Sequence, residues 1–513
     1  MDKHYVFLDA MQIQRYIFAT NTLKTIIGAS LALSRWQEKC RELCDGYGGR
    51  LIYSAGGNVL TCFSDSPKAQ QFRIRAVTEI APPGLEIAWA EAEGTDPESV
   101  TWEKLQLEIA RYKAGDRDKD YTPYSTPGIP GCGHCGLRAP DSGPLIDKKK
   151  FCSNCRTLYF SGGELDKYPV GTTLMEFLYQ QVDKERFPGI FPRELDLLVS
   201  HKNPLKSSHN MAVVVIDLND VGRRINAIVQ QNGFSGLQQF SQDLESGIKA
   251  MLLRVLKYLE NHPDGAGLAD NQKYLRLRPL LVGGDDIVLA LPAPLWPGLV
   301  AEALNELQDR GCPACAGVVA ARHTFPVNRL VSMAEELVAN AKKLTRYRQG
   351  QNACFNECVL DWHFHQETAF TSPLQLRRRN FVKLIEANKS NETYEVATRR
   401  PYPLAEFLRL RDQVDKITAS NRKLYTLYKG LRAGVKATRD TLVYTFLRDE
   451  KDGMDKYPYL WDLVTTTPGE YPLWSSREFS RNNLHIKLYE TEVTDILELK
   501  FLLDTDDTEV EDV

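Results

Sequence analysis

Leu280-Leu281-Val282-Gly283-Gly284-Asp285-Asp286-Ile287-Val288-Leu289 is the stretch on which the reading of this chain turns. Two apolar runs of strand length flank four residues of turn chemistry, the pattern of a β-hairpin. Gly283 and Gly284 permit positive φ and leave the backbone open to close approach. Asp285 and Asp286 add two carboxylates at the tip. A plain surface turn also favours Gly and Asp, so the surroundings must decide. Val213-Val214-Val215-Ile216 reads as a second buried strand and ends at Asp217. If the strands are neighbours, three carboxylates meet at one edge of a sheet.

Carboxylates converging from rigid strands suit phosphoryl transfer from a nucleoside triphosphate, where two divalent cations about 3.5–4 Å apart neutralise charge and activate a hydroxyl. Asp217, Asp285 and Asp286 are therefore candidate ligands for Mg2+ or Mn2+. Asn219 and Asp220 are either further ligands or caps of the next helix. Lys342 and Lys343 are adjacent on a helix and project apart, so one can reach phosphates while the other is solvated. Arg276 and Arg278, on the strand entering the hairpin, are either phosphate-binding cations or ordinary surface residues.

Working outward, Met211 to about Leu360 reads as one α/β unit, and Tyr5 to about Arg117 repeats its plan. Each has a strand ending in Asp (Asp9 in the first), a helical region, and a hairpin with paired glycines, here Gly56-Gly57-Asn58. A duplicated domain whose second copy kept its carboxylates is the simplest account. The expected division is 1–118 as a first α/β domain and 119–165 as a four-cysteine module. Residues 166–210 form a helical connection, 211–370 the second α/β domain, 371–500 a helical C-terminal domain and 501–513 an acidic disordered tail.

Cys132-x-x-Cys135 and Cys152-x-x-Cys155, sixteen residues apart, have the spacing of a structural Zn2+ site. Four thiolates leave no open position for catalysis. His134, inside the first knuckle, reads as exposed rather than as a ligand. Cys312, Cys315, Cys354 and Cys358 are either a second site, a redox pair or buried free thiols.

The composition bounds the rest. The 513 residues carry 43% apolar side chains and a formal net charge of -3. No global basic field marks nucleic acid or an anionic membrane, so such a partner needs a local patch. Arg377-Arg378-Arg379, Arg399-Arg400 and the basic residues around the cysteine module are the candidates. No stretch is long and apolar enough to span a membrane and no signal peptide is evident, so the cytoplasm is the expected location.

Taken together, five segments resemble the large palm-containing subunit of type III CRISPR effector complexes, which makes cyclic oligoadenylates. They are Asp9–Phe18 with Ile27-Gly28-Ala29-Ser30, Ser54–Asn58, the four-cysteine module, Asp217 with Gly283–Asp286, and Ala316–Val318 through Ala334-Glu335 to Ala341-Lys342. The resemblance covers roughly residues 5–360. It implies two ferredoxin-like palms, a zinc ribbon and a helical C-terminal domain. It implies that Asp217, Asp285 and Asp286 hold Mg2+ or Mn2+, and that Lys342 belongs to the site. Two ATP molecules would lie between Gly56, Gly57 and Asn58 on one side and Gly283 and Gly284 on the other. A 3′-hydroxyl would attack an α-phosphate and release pyrophosphate, with RNA or other effector subunits as partners. No His-Asp pair occurs in the chain, so the nuclease domain that opens many family members is not expected. Two other readings remain: a diguanylate cyclase of the GGDEF type, against which Ile287 stands where that family has an aromatic, and a zinc-stabilised RNA-binding scaffold with little turnover.

Overall fold

The computed structural model describes residues 3–503, apart from 95–96, 116–130, 137, 166–170, 201–208, 270, 353–354, 369, 389, 418, 448–470, 472 and 482–483. The expected acidic tail therefore falls almost wholly outside the described residues.

The first unit runs β1 (His4–Ala10), α1 (Ile13–Ile17), α2 (Leu23–Gly46), β2 (Arg50–Ala55), β3 (Asn58–Phe63), α3 (Ser66–Thr78), β4 (Ile87–Glu93) and α4 (Glu98–Ala114). Its sheet has the order β2-β3-β1-β4, and every pairing is antiparallel. This is the βαββαβ ferredoxin-like plan. After α5 (Ser153–Leu165), α6 (Leu174–Gln181) and α7 (Leu195–Val199), the plan returns. β5 (Asn210–Leu218) leads to α8 (Val221–Asn261), a small β6 (Ala266–Ala269) and β7 (Gln272–Leu275) ribbon, β8 (Arg278–Gly283), β9 (Asp286–Pro292), α9 (Trp296–Asp309), β10 (Ala314–Arg322) and α10 (Val327–Gln351). Within its six-stranded sheet the order β8-β9-β5-β10 repeats β2-β3-β1-β4. The expected pair of ferredoxin-like units is present.

The apolar run of β5 has a simple cause. Ala212, Val214 and Ile216 enter one hydrophobic cluster, while Met211, Val213 and Val215 enter another on the opposite face. A strand covered on both faces has no polar side to show. The two units also share a core. Trp102 of α4 lies edge-on to Phe7 and Phe234, and its indole N–H donates to Asn226 Oδ1 at 2.7 Å.

Beyond α10 come β11 (Val359–Phe364), α11 (Pro373–Phe381), β12 (Val382–Ala387), β13 (Asn391–Val396), β14 (Tyr402–Pro403), α12 (Leu404–Val414), α13 (Asn421–Ala433), α14 (Val435–Leu442), β15 (Ser475–Arg481), β16 (Leu484–Glu490) and α15 (Val493–Leu503). α12, α13 and α14 are helices as expected, but the region also builds a four-stranded sheet, β12-β13-β16-β15. Those strands are largely exposed or half-buried on both faces. Without a buried face they carry no alternation for a sequence reading to find.

Three arginines of the expected basic patch are structural instead. Arg377 is bidentate on the fully buried Asp361, at 2.9 and 2.7 Å. Arg400 pairs with Asp495 and Glu498, and Arg399 with Glu490 and Glu492. Arg377 and Arg400 are buried and need such partners to offset lost hydration, whereas Arg399 is 38% exposed and pairs at the surface. Their carboxylates lie up to about a hundred residues away in sequence, so the runs alone looked free.

A candidate active site between two hairpins

The paired-glycine hairpins of the two units face each other. A Cβ on Gly284, where φ is +55°, would lie 2.1 Å from the backbone nitrogen of Gly56. One on Gly56 (φ +57°) would meet Asp285 Oδ1 at 2.3 Å. Only glycine tolerates both the left-handed conformation and this approach. Asn58 donates to Gly56 O at 3.3 Å and so braces the first turn. Behind the hairpins α2 and α8 border a small open cleft, lined among others by Ser34, Gln37, Ser54, Ser241, Gly283 and Gly284.

The carboxylates meet as the strand registers dictate. Asp217 ends β5 directly opposite Asp286 of β9, and Gly283 pairs with Asp286 across the turn. Leu218 N–H donates to Asp285 O at 3.2 Å, which ties the tip to the end of β5. Lys342 of α10 places Nζ 2.7 Å from Asp217 Oδ2, while Lys343 is exposed. Burial pushes the Asp217 carboxyl up, against the Lys342 charge. Asp285 is raised by burial, with the Asp217 charge adding to it. Asp286 is pushed up to about 8 by burial, then by Asp285 and Asp217. Such crowding marks sites where a cation or proton must be supplied.

A fourth carboxylate joins them. Glu335 is raised to about 7 by burial and the Asp217 charge. It stands seven residues before Lys342 on α10, hence on the same helix face. That spacing was the available signal. The first unit holds a matching set. Asp9 lies opposite Asn58, and Lys113 Nζ is 2.7 Å from Asp9 Oδ2. Lys113 and Lys342 each lie fifteen residues after the first of their helices, α4 and α10, and Gln106 takes the position of Glu335. Amides thus replace two of the acids in the first unit.

Other candidates lie elsewhere. Arg276 and Arg278 are buried rather than surface-exposed: Arg276 donates to Leu198 O, and Arg278 to the Tyr179 hydroxyl. Both brace the connecting segment. Asp220 precedes α8 in a left-handed conformation without a side-chain cap, and pairs with Arg223. Asn219 is buried beside the site, neither of its amide atoms hydrogen-bonded. Cys312, Cys315 and Cys358 are buried free thiols, and Cys354 lies outside the described residues. Cys358 Sγ accepts from Ala314 N–H, so it serves packing.

In the cysteine module the four sulfurs of Cys132, Cys135, Cys152 and Cys155 lie within 4.8 Å of one another, with no disulfide. Hydrogen bonding with Cys135 heads the causes that push the Cys152 and Cys155 thiols up. A thiophilic tetrahedral ion would relieve that crowding by taking thiolates, so the donor set fits Zn2+. The hairpin carboxylates are less tightly gathered: among the described residues only the cysteines form a group at ligand spacing. Their crowding and raised protonation nonetheless fit a divalent cation. His134 is half-buried rather than exposed. It stacks on Phe151 with centroids 4.3 Å apart, and its Nε2 lies 2.7 Å from Thr25 Oγ1 of α2. α5 crosses α2 so closely that a Cβ on Gly162 would lie 1.9 Å from Lys24 O.

No family model matches the chain and no curated protein matches it. Solved structures do. A Csm1-Csm4 cassette in complex with pppApA aligns at 13% identity over 98% of this chain and 69% of that one, with a TM-score of 0.54. A cassette in complex with cA4 aligns at 15% identity over 98% and 70%, TM-score 0.52. Csm1 in T.onnurineus aligns at 14% over 98% and 69%, TM-score 0.51. The chain has the Csm1 fold. Another match is a Csm1-Csm4 subcomplex of the type III-A CRISPR-Csm interference complex, so the resemblance read from the sequence holds at the level of the fold. Among the described residues, no helix is long and apolar enough to cross a membrane.

Proposed function

We propose that this Csm1-like chain is a metal-dependent nucleotidyltransferase that builds cyclic oligoadenylates from ATP within a type III CRISPR-like defence complex, in the cytoplasm, and is switched on by bound RNA. The observation that carries the reading is the face-to-face packing of the Gly56-Gly57 and Gly283-Gly284 turns, with the carboxylates at one of them. Csm1-Csm4 cassettes of the same fold are described in complex with cA4, with cA3 and with one ATP.

Asp217, Asp285 and Asp286, with Glu335 beside them, would hold Mg2+ or Mn2+. Bound there, the cations would neutralise the triphosphate and acidify the attacking 3′-hydroxyl. Lys342 is poised to exchange Asp217 for a phosphate oxygen once a cation neutralises that carboxylate. The glycine turns admit phosphates against their backbones, and Ser34, Gln37 and Ser241 offer polar groups to a base. Lys113 and Asn58 would hold the second triphosphate with fewer competing negative charges. Cys132, Cys135, Cys152 and Cys155 would hold a structural Zn2+. Both hairpins come from one chain, which favours this reading over a GGDEF-type homodimer.

The test is incubation of the purified chain with ATP or GTP and Mg2+ or Mn2+, with and without RNA, and mass spectrometry of the products. Oligoadenylates from the wild type and none from Asp285→Ala/Asp286→Ala are expected. Guanine dinucleotides, or product from the double variant, would overturn the reading.

A further inference from the structure

Arg377, Arg399 and Arg400 are held in ion pairs, but a second basic stretch lies further along the chain. Between Lys416 and Arg439 the chain carries seven basic residues and no acidic one, against a net charge of -3 for the whole chain. The segment is the α13–α14 hairpin. Leu424, Leu427, Leu431, Val435 and Leu442 bury its inner side. The helices run back along each other: a Cβ on Gly430 would meet Thr441 Oγ1 at 2.5 Å, and Lys423 Nζ of α13 lies 5.9 Å from the ring of Phe446, beyond α14.

Arg422, Lys429, Lys436 and Arg439 are exposed, and none pairs with a described carboxylate. Exposed aromatic rings lie on α13 and just beyond α14. Tyr425 is 46% exposed and Tyr444 73% exposed. Tyr425 lies nearly parallel to Tyr428, planes 16° apart, and Lys429 Nζ is 4.5 Å from the Tyr425 centroid. Exposed rings together with cations free of carboxylates are the combination that stacks on unpaired bases while tracking phosphates.

We propose that the outer face of the α13–α14 hairpin binds single-stranded nucleic acid, the cations tracking phosphates and Tyr425 and Tyr444 stacking on unpaired bases. Charge complementarity selects a polyanion. Exposed tyrosines rather than aliphatic residues favour bases over lipid chains, and a duplex would keep its bases stacked away from the rings. The proposal deepens the RNA-dependent part of the function above, but it is read by binding without turnover, so either can fail alone.

The experiment is fluorescence anisotropy of labelled twelve-nucleotide oligouridylate and oligodeoxythymidylate with the full chain, titrated at several salt concentrations. Four engaged cations predict a log–log salt slope of about -3 at about 0.7 per phosphate contact. Arg422→Gln/Lys429→Gln should reduce that slope by about 1.4, and Tyr425→Ala should weaken binding about tenfold with the slope nearly unchanged. Lys148→Gln/Lys150→Gln, in the exposed basic run of the cysteine module, should bind as wild type. Circular dichroism confirms that each variant is folded. Preference for the ribose or the deoxyribose strand identifies which nucleic acid the face takes, and either supports it. Binding lost only in the Lys148/Lys150 variant, or binding of phosphatidylserine vesicles but neither oligonucleotide, would overturn the proposal.

Discussion

Gly284 approaches Gly56 so closely that a methyl group on the first would lie 2.1 Å from the backbone nitrogen of the second. The two units therefore touch through bare backbone at the point where the carboxylates gather. Gly284→Ala adds both a left-handed strain and a clash with main chain, together worth about 1–3 kcal/mol. It should lower the melting temperature and part the hairpins. Gly283→Ala, whose Cβ would meet nothing closer than Leu281 at 3.8 Å, should melt as wild type. Equal melting of the two variants would refute this role of the contact.

Lys342→Ala removes the cation held against Asp217. Under the proposed function, oligoadenylate formation should fall on the order of 10²-fold, the size of effect seen when a transition-state donor is lost. Lys342→Arg should restore part of it. Lys113→Ala, in the amide-bearing unit, should raise KM for ATP more than it lowers kcat. Steady-state kinetics with both variants checks the division of labour, and a kcat loss from Lys113→Ala matching that from Lys342→Ala would contradict it.

The crowded carboxylates also set a pH dependence. Asp286 and Glu335 release their protons near 8 and 7 in the folded chain, against about 4 and 4.5 when unfolded. Over that interval the folded state holds more protons, so its stability falls as pH rises. In magnesium-free buffer the urea midpoint should drop between pH 5 and pH 8.5. Asp286→Asn should flatten the drop, and Mg2+ or Mn2+ should restore the midpoint most at the upper end. A midpoint that climbs with pH in the wild type would contradict the arrangement.

Zinc should act through α2. The module grips that helix through His134 on Thr25 and through the Gly28–Gly162 crossing, and the same helix carries Ser34 and Gln37 to the cleft. Cys152→Ser should lower the zinc content measured by atomic absorption and raise amide hydrogen exchange along α2. His134→Ala should keep the metal yet loosen the N-terminal half of α2. Unchanged exchange in a zinc-depleted chain would disprove the coupling.

Much of this was legible in the sequence because local chemistry carries it. The two hairpins announce themselves through apolar runs around paired glycines, and the cysteine knuckles through spacing. Glu335 was legible in principle, since seven residues separate it from Lys342, but a helix face acquires meaning only once something packs against it. The C-terminal sheet was not legible, because β12 and β13 bury neither face consistently.

By itself, then, the sequence determined which chemistry could exist here: carboxylates at strand ends, glycines at two turns, four thiols at metal spacing and runs of arginine in the C-terminal part. Only the tertiary structure decided who meets whom. It set Gly56 against Asp285, Lys113 on Asp9 and Lys342 on Asp217, and it spent Arg377 and Arg400 on buried carboxylates while leaving Arg422 and Lys429 in water. The reason is physical. A side chain's type fixes what partner it needs, but a charge is satisfied by whatever folding brings within a few ångströms, and that partner lies anywhere along the chain.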